Sequence, residues 1–133
     1  MGYLTVAEGR SPVPAAIAAL VEPLDQHQLG SLRAALGAEC LGRLLALFAQ
    51  ELKGRRAAIR SAVSRSDLAA ACAEAHSLKG ASLNLGGRAV GRAAARLEAA
   101  LAGRSGGGAT ALHMALRELD RAIAATLPAL PAI

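Results

Sequence analysis

A histidine, a lysine and a glycine lie within about one helical turn near the middle of the chain. His76, Lys79 and Gly80 belong to the segment 75–86, AHSLKGASLNLG. Imidazole has an unperturbed pKa near neutrality, so a neutral ring nitrogen is available to attack phosphorus. A lysine at i+3 can bring its ammonium beside phosphoryl oxygens, and a glycine at i+4 leaves the ring open to a partner. We therefore expect His76 to accept and donate a phosphoryl group.

The apolar pattern around this segment predicts where the histidine lies on its helix. One stripe at helical spacing consists of Leu68, Ala71, Ala75, Leu78, Ser82 and Leu85. His76 follows Ala75, so it should lie about 100° around the helix from the buried line. We expect its stem to be packed and its ring edge to be in solvent, where another protein can reach it.

Helical periodicity accounts for most of the chain. Apolar residues recur at helical spacing over residues 41–63, 68–85, 90–101 and 112–127. Their connections are short, and the longest is the flexible glycine-rich segment 103–108. Because no stretch alternates apolar and polar residues, strands are not expected. The sequence predicts an all-α fold, an antiparallel four-helix bundle (up-down-up-down) preceded by one or two short helices.

The bundle is expected to occupy residues 25–128, between an N-terminal extension and a short tail. Residues 1–24 should contain a short helix, and residues 129–133 form the tail. Asp25 and Gln28 have the spacing of a reciprocal helix N-cap. At the other end, Pro128 and Pro131 should close the last helix.

Composition bounds the class of protein. Hydrophobic residues make up 53% of the chain but aromatic residues only 2%, so alanine and leucine must supply the packing. The apolar runs 13–21 and 122–133 are too short to span a bilayer, which needs about 20 residues. Two cysteines, Cys40 and Cys72, make no disulfide framework and no paired metal motif. We expect a cytoplasmic protein without a membrane segment or a metal, although Cys72 and His76 at i, i+4 could supply two ligands.

Basic residues are in excess. The formal net charge is +5, which favours an acidic partner surface. Arg88, Arg92 and Arg96 recur every four residues, either as a solvated face or as a docking strip. The alternative to phosphotransfer is a basic helical interaction or scaffold module that binds protein or nucleic acid. Nucleic acid is the less favoured partner, because aromatic stacking residues and a helix-turn-helix pattern are missing.

The segment around His76 resembles the phosphoacceptor motif of histidine-containing phosphotransfer (HPt) domains. His76, Leu78, Lys79, Gly80 and Gly86 are in register with it, and the resemblance extends over roughly residues 25–101. It implies that His76 is the phosphoacceptor, that Lys79 stabilises phosphoryl charge and that Gly80 provides steric access.

The resemblance also implies a role for Glu98. The family often has Glu or Gln at this position near the active imidazole, so Glu98 would hydrogen-bond the non-phosphorylated nitrogen and fix its tautomer. Spacing alone says only that Glu98 flanks Leu97 as His76 flanks Ala75. A solvated glutamate paired with nearby arginines is the alternative.

Partner contacts are expected around the histidine, at Cys72, Leu83, Arg88 and Arg92. Leu83 departs from the family pattern, which usually has a small residue two turns beyond the histidine. A leucine there could add an apolar contact or narrow the choice of partner. Cys72 also has a simpler interpretation, as a small packing residue.

The function implied by the resemblance is that of a phosphorelay carrier. His76 would pass a phosphoryl group between receiver-domain aspartates of a hybrid sensor kinase and a response regulator. The chain has no room for an ATP-binding kinase domain, so we expect a stoichiometric carrier, not an enzyme. It should need no cofactor of its own, with Mg²⁺ supplied by the receiver domain. A carrier of this kind can work as a monomer.

Overall fold

The computed structural model describes residues 22–104 and 106–131, and its regular structure is helical throughout. The helices are α1 (Gln26–Leu36), α2 (Ala38–Ser64), α3 (Leu68–Asn84), α4 (Arg88–Leu101) and α5 (Gly108–Ala129). The all-α prediction is confirmed. None of these helices combines the length and the apolar character that crossing a membrane would require. The helix expected before the bundle in residues 1–24 falls almost wholly outside the described residues.

Helices α2 to α5 form an antiparallel bundle in which each packs against the next. Helix α2 also contacts α5, which closes the bundle. The direction is clear for α3 and α4, because Cys72 lies beside Glu98 near the end of α4, whereas Leu83 lies beside Gly91 near its start. The predicted four-helix bundle is therefore confirmed.

Aspartate side chains begin two of the helices. Asp25 accepts a hydrogen bond from the backbone N–H of Gln28 at 3.1 Å, and Asp67 caps α3 through Ala70 in the same way. The expected return bond from Gln28 is not formed. Its side-chain amide instead donates to the carbonyl oxygen of Leu83 at 2.6 Å. Gln28 thus connects α1 to the last turn of α3.

The last helix ends between the two prolines expected to close it. Helix α5 runs through Pro128 and ends at Ala129, two residues before Pro131. Proline lacks the N–H that would bond one turn back, and in a final turn the helix loses only that one bond. The backbone N–H of Leu130 then bonds the carbonyl of Thr126 at 3.2 Å.

Many of the residues that α3 and α4 bury have small side chains. Fully buried small residues on these two helices are Ala71, Ala75, Ser82, Gly91, Ala93 and Ala94. Small contact residues let helix axes approach closely. The approach is so close at Gly91 that a Cβ atom there would lie 2.6 Å from Cδ2 of Leu83. The two helices that carry the histidine and Glu98 are therefore held near each other.

The single phenylalanine closes the core next to the turn between α3 and α4. Phe48 of α2 is 2% exposed, and its ring lies against Gly87. A Cβ atom on Gly87 would come within 2.8 Å of Cζ of Phe48. Glycine is required here for space, since its φ of −80° is one that any residue can adopt.

Replacing Gly87 by alanine should therefore destabilise the fold. Phe48 is packed on all sides and cannot move without disturbing the core. We expect Gly87→Ala to lower the free energy of unfolding by about 1–3 kcal/mol. Urea denaturation followed by far-ultraviolet circular dichroism measures this change.

The matched control is Gly54→Ala on α2, where no atom lies within 4 Å of the added Cβ. This variant should gain up to about 1 kcal/mol from the better helix propensity of alanine. If Gly87→Ala is as stable as wild type, Phe48 is not held as tightly as we infer.

Candidate functional site

The side chain of His76 lies at the rim of α3. Ala75, its neighbour, is fully buried, whereas the His76 side chain is 67% exposed. The ring nitrogen Nδ1 lies 2.8 Å from Oε2 of Glu98 on α4. No other hydrogen bond joins the ring to a described residue. The second ring nitrogen, Nε2, thus belongs to an exposed ring and has no partner in the described part of the chain.

Glu98 connects the histidine to the lysine. Its Oε2 bonds His76, and its Oε1 lies 2.8 Å from Nζ of Lys79. The Glu98 side chain is 15% exposed and that of Lys79 is 29% exposed. One carboxylate between α3 and α4 therefore holds both the imidazole and the ammonium. The three groups form a cluster at the surface, with the ring outermost.

The carboxyl group of Glu98 is ionised at neutral pH. The hydrogen bond from Lys79 lowers its pKa most, and the bond from His76 adds to this. Together they outweigh the partial desolvation, which acts in the opposite direction. The folded protein therefore presents a carboxylate, not a carboxylic acid, to the imidazole.

The surface next to the ring is open at Gly80. This residue is exposed, and no atom lies within 4 Å of the position that a Cβ would take. Gly80 lies one turn beyond His76, on the same side of α3. Packing within the fold therefore does not require glycine here. The missing side chain leaves free space beside the imidazole.

The residues expected to contact a partner differ in how exposed they are. Leu83 is 51% exposed and lies over Gly91, next to the site. Cys72 is half-buried, and its thiol faces the backbone oxygen of Glu98 at 3.9 Å. Leu83 thus leaves an apolar surface exposed next to the site, whereas Cys72 mainly packs against α4.

The three arginines of the basic stripe have different surroundings. Arg88 is half-buried and lies 3.4 Å from Asp25, at the start of α1. Arg96 is bonded to Glu118 on α5. Arg92 between them is exposed. The stripe is thus not a uniform free strip, because contacts within the fold engage its arginines.

Two positions that matter for the site were not singled out by the sequence. Gly91 makes the space that Leu83 occupies, and Gln28 holds the backbone of Leu83 from α1. A signal for Gly91 exists in the sequence, since it follows Gly87, the residue just before α4, by one helical turn. Gln28 gave no such signal, because its spacing from Asp25 predicts a different bond.

Metal ligands are not gathered at this site. Among residues 22–104 and 106–131, no three histidine, cysteine, aspartate or glutamate side chains lie together in a way that could hold an ion. His76 and Glu98 are joined by a hydrogen bond instead. The cluster consists of an imidazole, a carboxylate and an ammonium.

Comparison with protein families gives one match that covers this region. The family model described as the Hpt domain matches residues 43–129, which is more than half of the chain and includes His76, Lys79 and Glu98. Neither the comparison with curated proteins nor that with solved structures gave a match. Together with the helical bundle, the family match shows that the chain belongs to the Hpt domain family, the histidine phosphotransfer modules of two-component phosphorelays.

Proposed function

We propose that this Hpt domain carries a phosphoryl group on Nε2 of His76 between receiver-domain aspartates of a hybrid sensor kinase and a response regulator. One observation carries the proposal: the imidazole is exposed to solvent while its Nδ1 is bonded to the ionised Glu98. That arrangement leaves the outer ring nitrogen free to react. Interaction with receiver domains is a property of the family.

The charge of Glu98 determines which ring nitrogen is the nucleophile. An ionised carboxylate can only accept hydrogen bonds, so Nδ1 must carry the proton that it donates. When the ring is neutral, the lone pair is therefore on Nε2. Glu98 thus acts as a positioning residue that selects the reactive tautomer of His76.

The transfer step follows from this tautomer. The Nε2 lone pair attacks the phosphorus of the receiver's aspartyl phosphate, so an N–P bond forms while the bond from phosphorus to the aspartate oxygen breaks. The aspartate leaves as a carboxylate, and the imidazole becomes a positively charged phosphoimidazole that keeps its Nδ1 proton. Glu98 stabilises that positive charge through the same hydrogen bond. The reverse sequence passes the group to the next aspartate.

Lys79 supplies positive charge close to the transferred group. In the unphosphorylated protein its ammonium is bonded to Glu98, one turn from the ring. A phosphoryl group on Nε2 would add anionic oxygens beside this cluster, and a flexible lysine can reorient towards them. Its contribution is electrostatic stabilisation of the incoming charge.

The partner surface in this proposal has an apolar centre and basic surroundings. Gly80 gives access to the ring, Leu83 offers an exposed apolar contact, and Arg92 is exposed on the neighbouring helix. Arg88 and Cys72 support the surface from within, through Asp25 and the backbone of α4. Mg²⁺ and the acidic residues that hold it are supplied by the receiver domain.

The protein works in this scheme as a stoichiometric, monomeric carrier in the cytoplasm. Family members are phosphocarrier modules and not kinases. A basic module without phosphotransfer is the less supported alternative, since Arg88 and Arg96 are engaged within the fold. That alternative also gives no role to an exposed imidazole bonded to a carboxylate.

Loss of the imidazole should abolish phosphorylation. We expect a phosphorylated cognate receiver domain to label the wild-type chain and to leave His76→Gln unlabelled, because glutamine has no nucleophilic ring nitrogen. Transfer of ³²P followed by gel autoradiography measures this. His113→Gln, which replaces an exposed histidine elsewhere, is the control and should be labelled like wild type. Equal labelling of His76→Gln and wild type would rule out His76 as the acceptor.

Removal of the carboxylate should change the tautomer of the ring. In the neutral ring of the wild type we expect the proton on Nδ1. Glu98→Ala should move it largely to Nε2, the form that histidine prefers without a partner. Long-range ¹H–¹⁵N correlation spectra distinguish the two forms, and His113 serves as an internal reference. Transfer should slow by about tenfold, since a hydrogen bond to a charged group is lost.

The same tautomer in Glu98→Ala and wild type would show that Glu98 does not position the ring. A Glu98→Gln variant tests the charge separately, because its amide oxygen can still accept the Nδ1 proton. We expect this variant to keep the wild-type tautomer and still to transfer more slowly than wild type.

A side chain at position 80 should block access without damaging the fold. Gly80→Gln places a flexible chain one turn from the ring and improves helix propensity, so stability should rise by up to about 1 kcal/mol. Transfer from the receiver should fall by roughly tenfold to a hundredfold, because the reacting atoms cannot approach correctly. Gly54→Gln on α2 is the matched control and should transfer normally. Normal transfer by Gly80→Gln would show that the space is not used.

A further inference from the structure

A second surface lies on the side of α4 that faces α5. An open groove of about 560 Å³ runs between the end of α4 and the first half of α5. Its floor is formed by small and apolar residues, among them Ala99, Ala100, Ala111 and Met114. Three arginines border it: Arg96, Arg117 and Arg121. The groove thus combines an apolar floor with a basic border.

This groove is separate from the histidine site. Glu98 of α4 contacts His76 and Lys79 on α3, whereas Arg96, two residues earlier, contacts Glu118 on α5. Residues two apart lie about 200° apart around a helix, so they face different neighbours. A protein that covers His76 would leave the groove accessible.

The border of the groove attracts anions. Arg117 and Arg121 are exposed, fall one turn apart on α5 and make no ion pair with a described residue. Arg96 is bonded to Glu118, the single acidic residue that lines the groove. Positive charge therefore exceeds negative charge, and two guanidinium groups remain available for carboxylates.

The floor of the groove favours a peptide over nucleic acid. Met114 is 64% exposed although it is apolar. Its flexible side chain can adapt to the surface of a bound protein. The alanines leave room for an apolar side chain between the helices. The lining has no Phe, Tyr or Trp on which a base could stack, and its one ring is the imidazole of His113. The ligand must therefore offer carboxylates and apolar side chains together.

We propose that this groove binds an acidic amphipathic helix of a partner protein. Its leucine-like side chains lie on Met114 and the alanines, and its carboxylates pair with Arg117 and Arg121. Such a helix presents apolar anchors at i, i+3 and i+4 with acidic residues beside them. The interaction is independent of phosphoryl transfer, because it leaves His76 uncovered.

The test is an NMR titration of the full chain with a helical peptide built from Glu, Leu and Ala. The peptide carries glutamates one turn apart beside a stripe of leucines. We expect saturable shift changes centred on Ala99, Ala111 and Met114, also in His76→Gln. Arg117→Gln/Arg121→Gln should weaken binding by about tenfold, since two exposed ion pairs are lost. Arg33→Gln/Arg65→Gln removes the same charge from exposed sites elsewhere and should bind normally.

Several results would overturn the proposal. Equal weakening by both double variants would indicate general charge attraction, and unchanged binding of a peptide with Gln in place of Glu would exclude carboxylate pairing. Shifts centred on Leu83, or no saturable shift, would exclude the groove as the binding surface. Tighter binding of duplex DNA at the groove, with a steep salt dependence, would identify nucleic acid as the ligand instead.

Discussion

The small side chains buried between α3 and α4 set the distance between the imidazole and its carboxylate. Alanine, serine and glycine make up much of what the two helices bury, and Ser82 and Leu83 of α3 lie against Gly91 of α4. Small residues at such a contact let helix axes approach closely. Because its side chain is short, Glu98 can bond two groups on α3 only if the helices are close. Its carboxylate oxygens lie 2.8 Å from Nδ1 of His76 and 2.8 Å from Nζ of Lys79. The chemistry at His76 therefore depends on the small residues that let α3 and α4 pack closely.

Charge pairs in this bundle contribute more to placement than to stability. Exposed ion pairs stabilise a fold by only about 0–1 kcal/mol each. Several nevertheless connect neighbouring helices, such as Arg55 with Glu74 and Arg56 with Asp120. Asp120 illustrates their effect, because burial would raise its pKa but the bonds from Arg56 and Arg60 lower it overall. Each pair restricts how far one helix can slide or rotate against another.

Much of the fold follows from local patterns in the sequence. The long apolar periodicities predict α2 to α5. His76 follows the buried Ala75 and is rotated about 100° from it around the helix, so its ring is predicted to lie at the rim. The resemblance to HPt domains places Glu98 near that ring. These features depend on residues close together in sequence or on a known arrangement of helices.

Contacts that depend on helix rotation were not predictable in the same way. Spacing could not show that Lys79 bonds Glu98, that Arg88 reaches Asp25 or that Gln28 donates to Leu83. Each joins two elements whose relative orientation is fixed only by the packed core.

The contact between Leu83 and Gly91 affects which residues related proteins can have at these two positions. Leu83 of α3 fills the space that Gly91 of α4 leaves open. In a homologue with alanine at position 83, position 91 could accept a larger residue. The exposed apolar contact would then lie on α4 instead of α3. Substitutions at positions 83 and 91 should therefore covary among relatives.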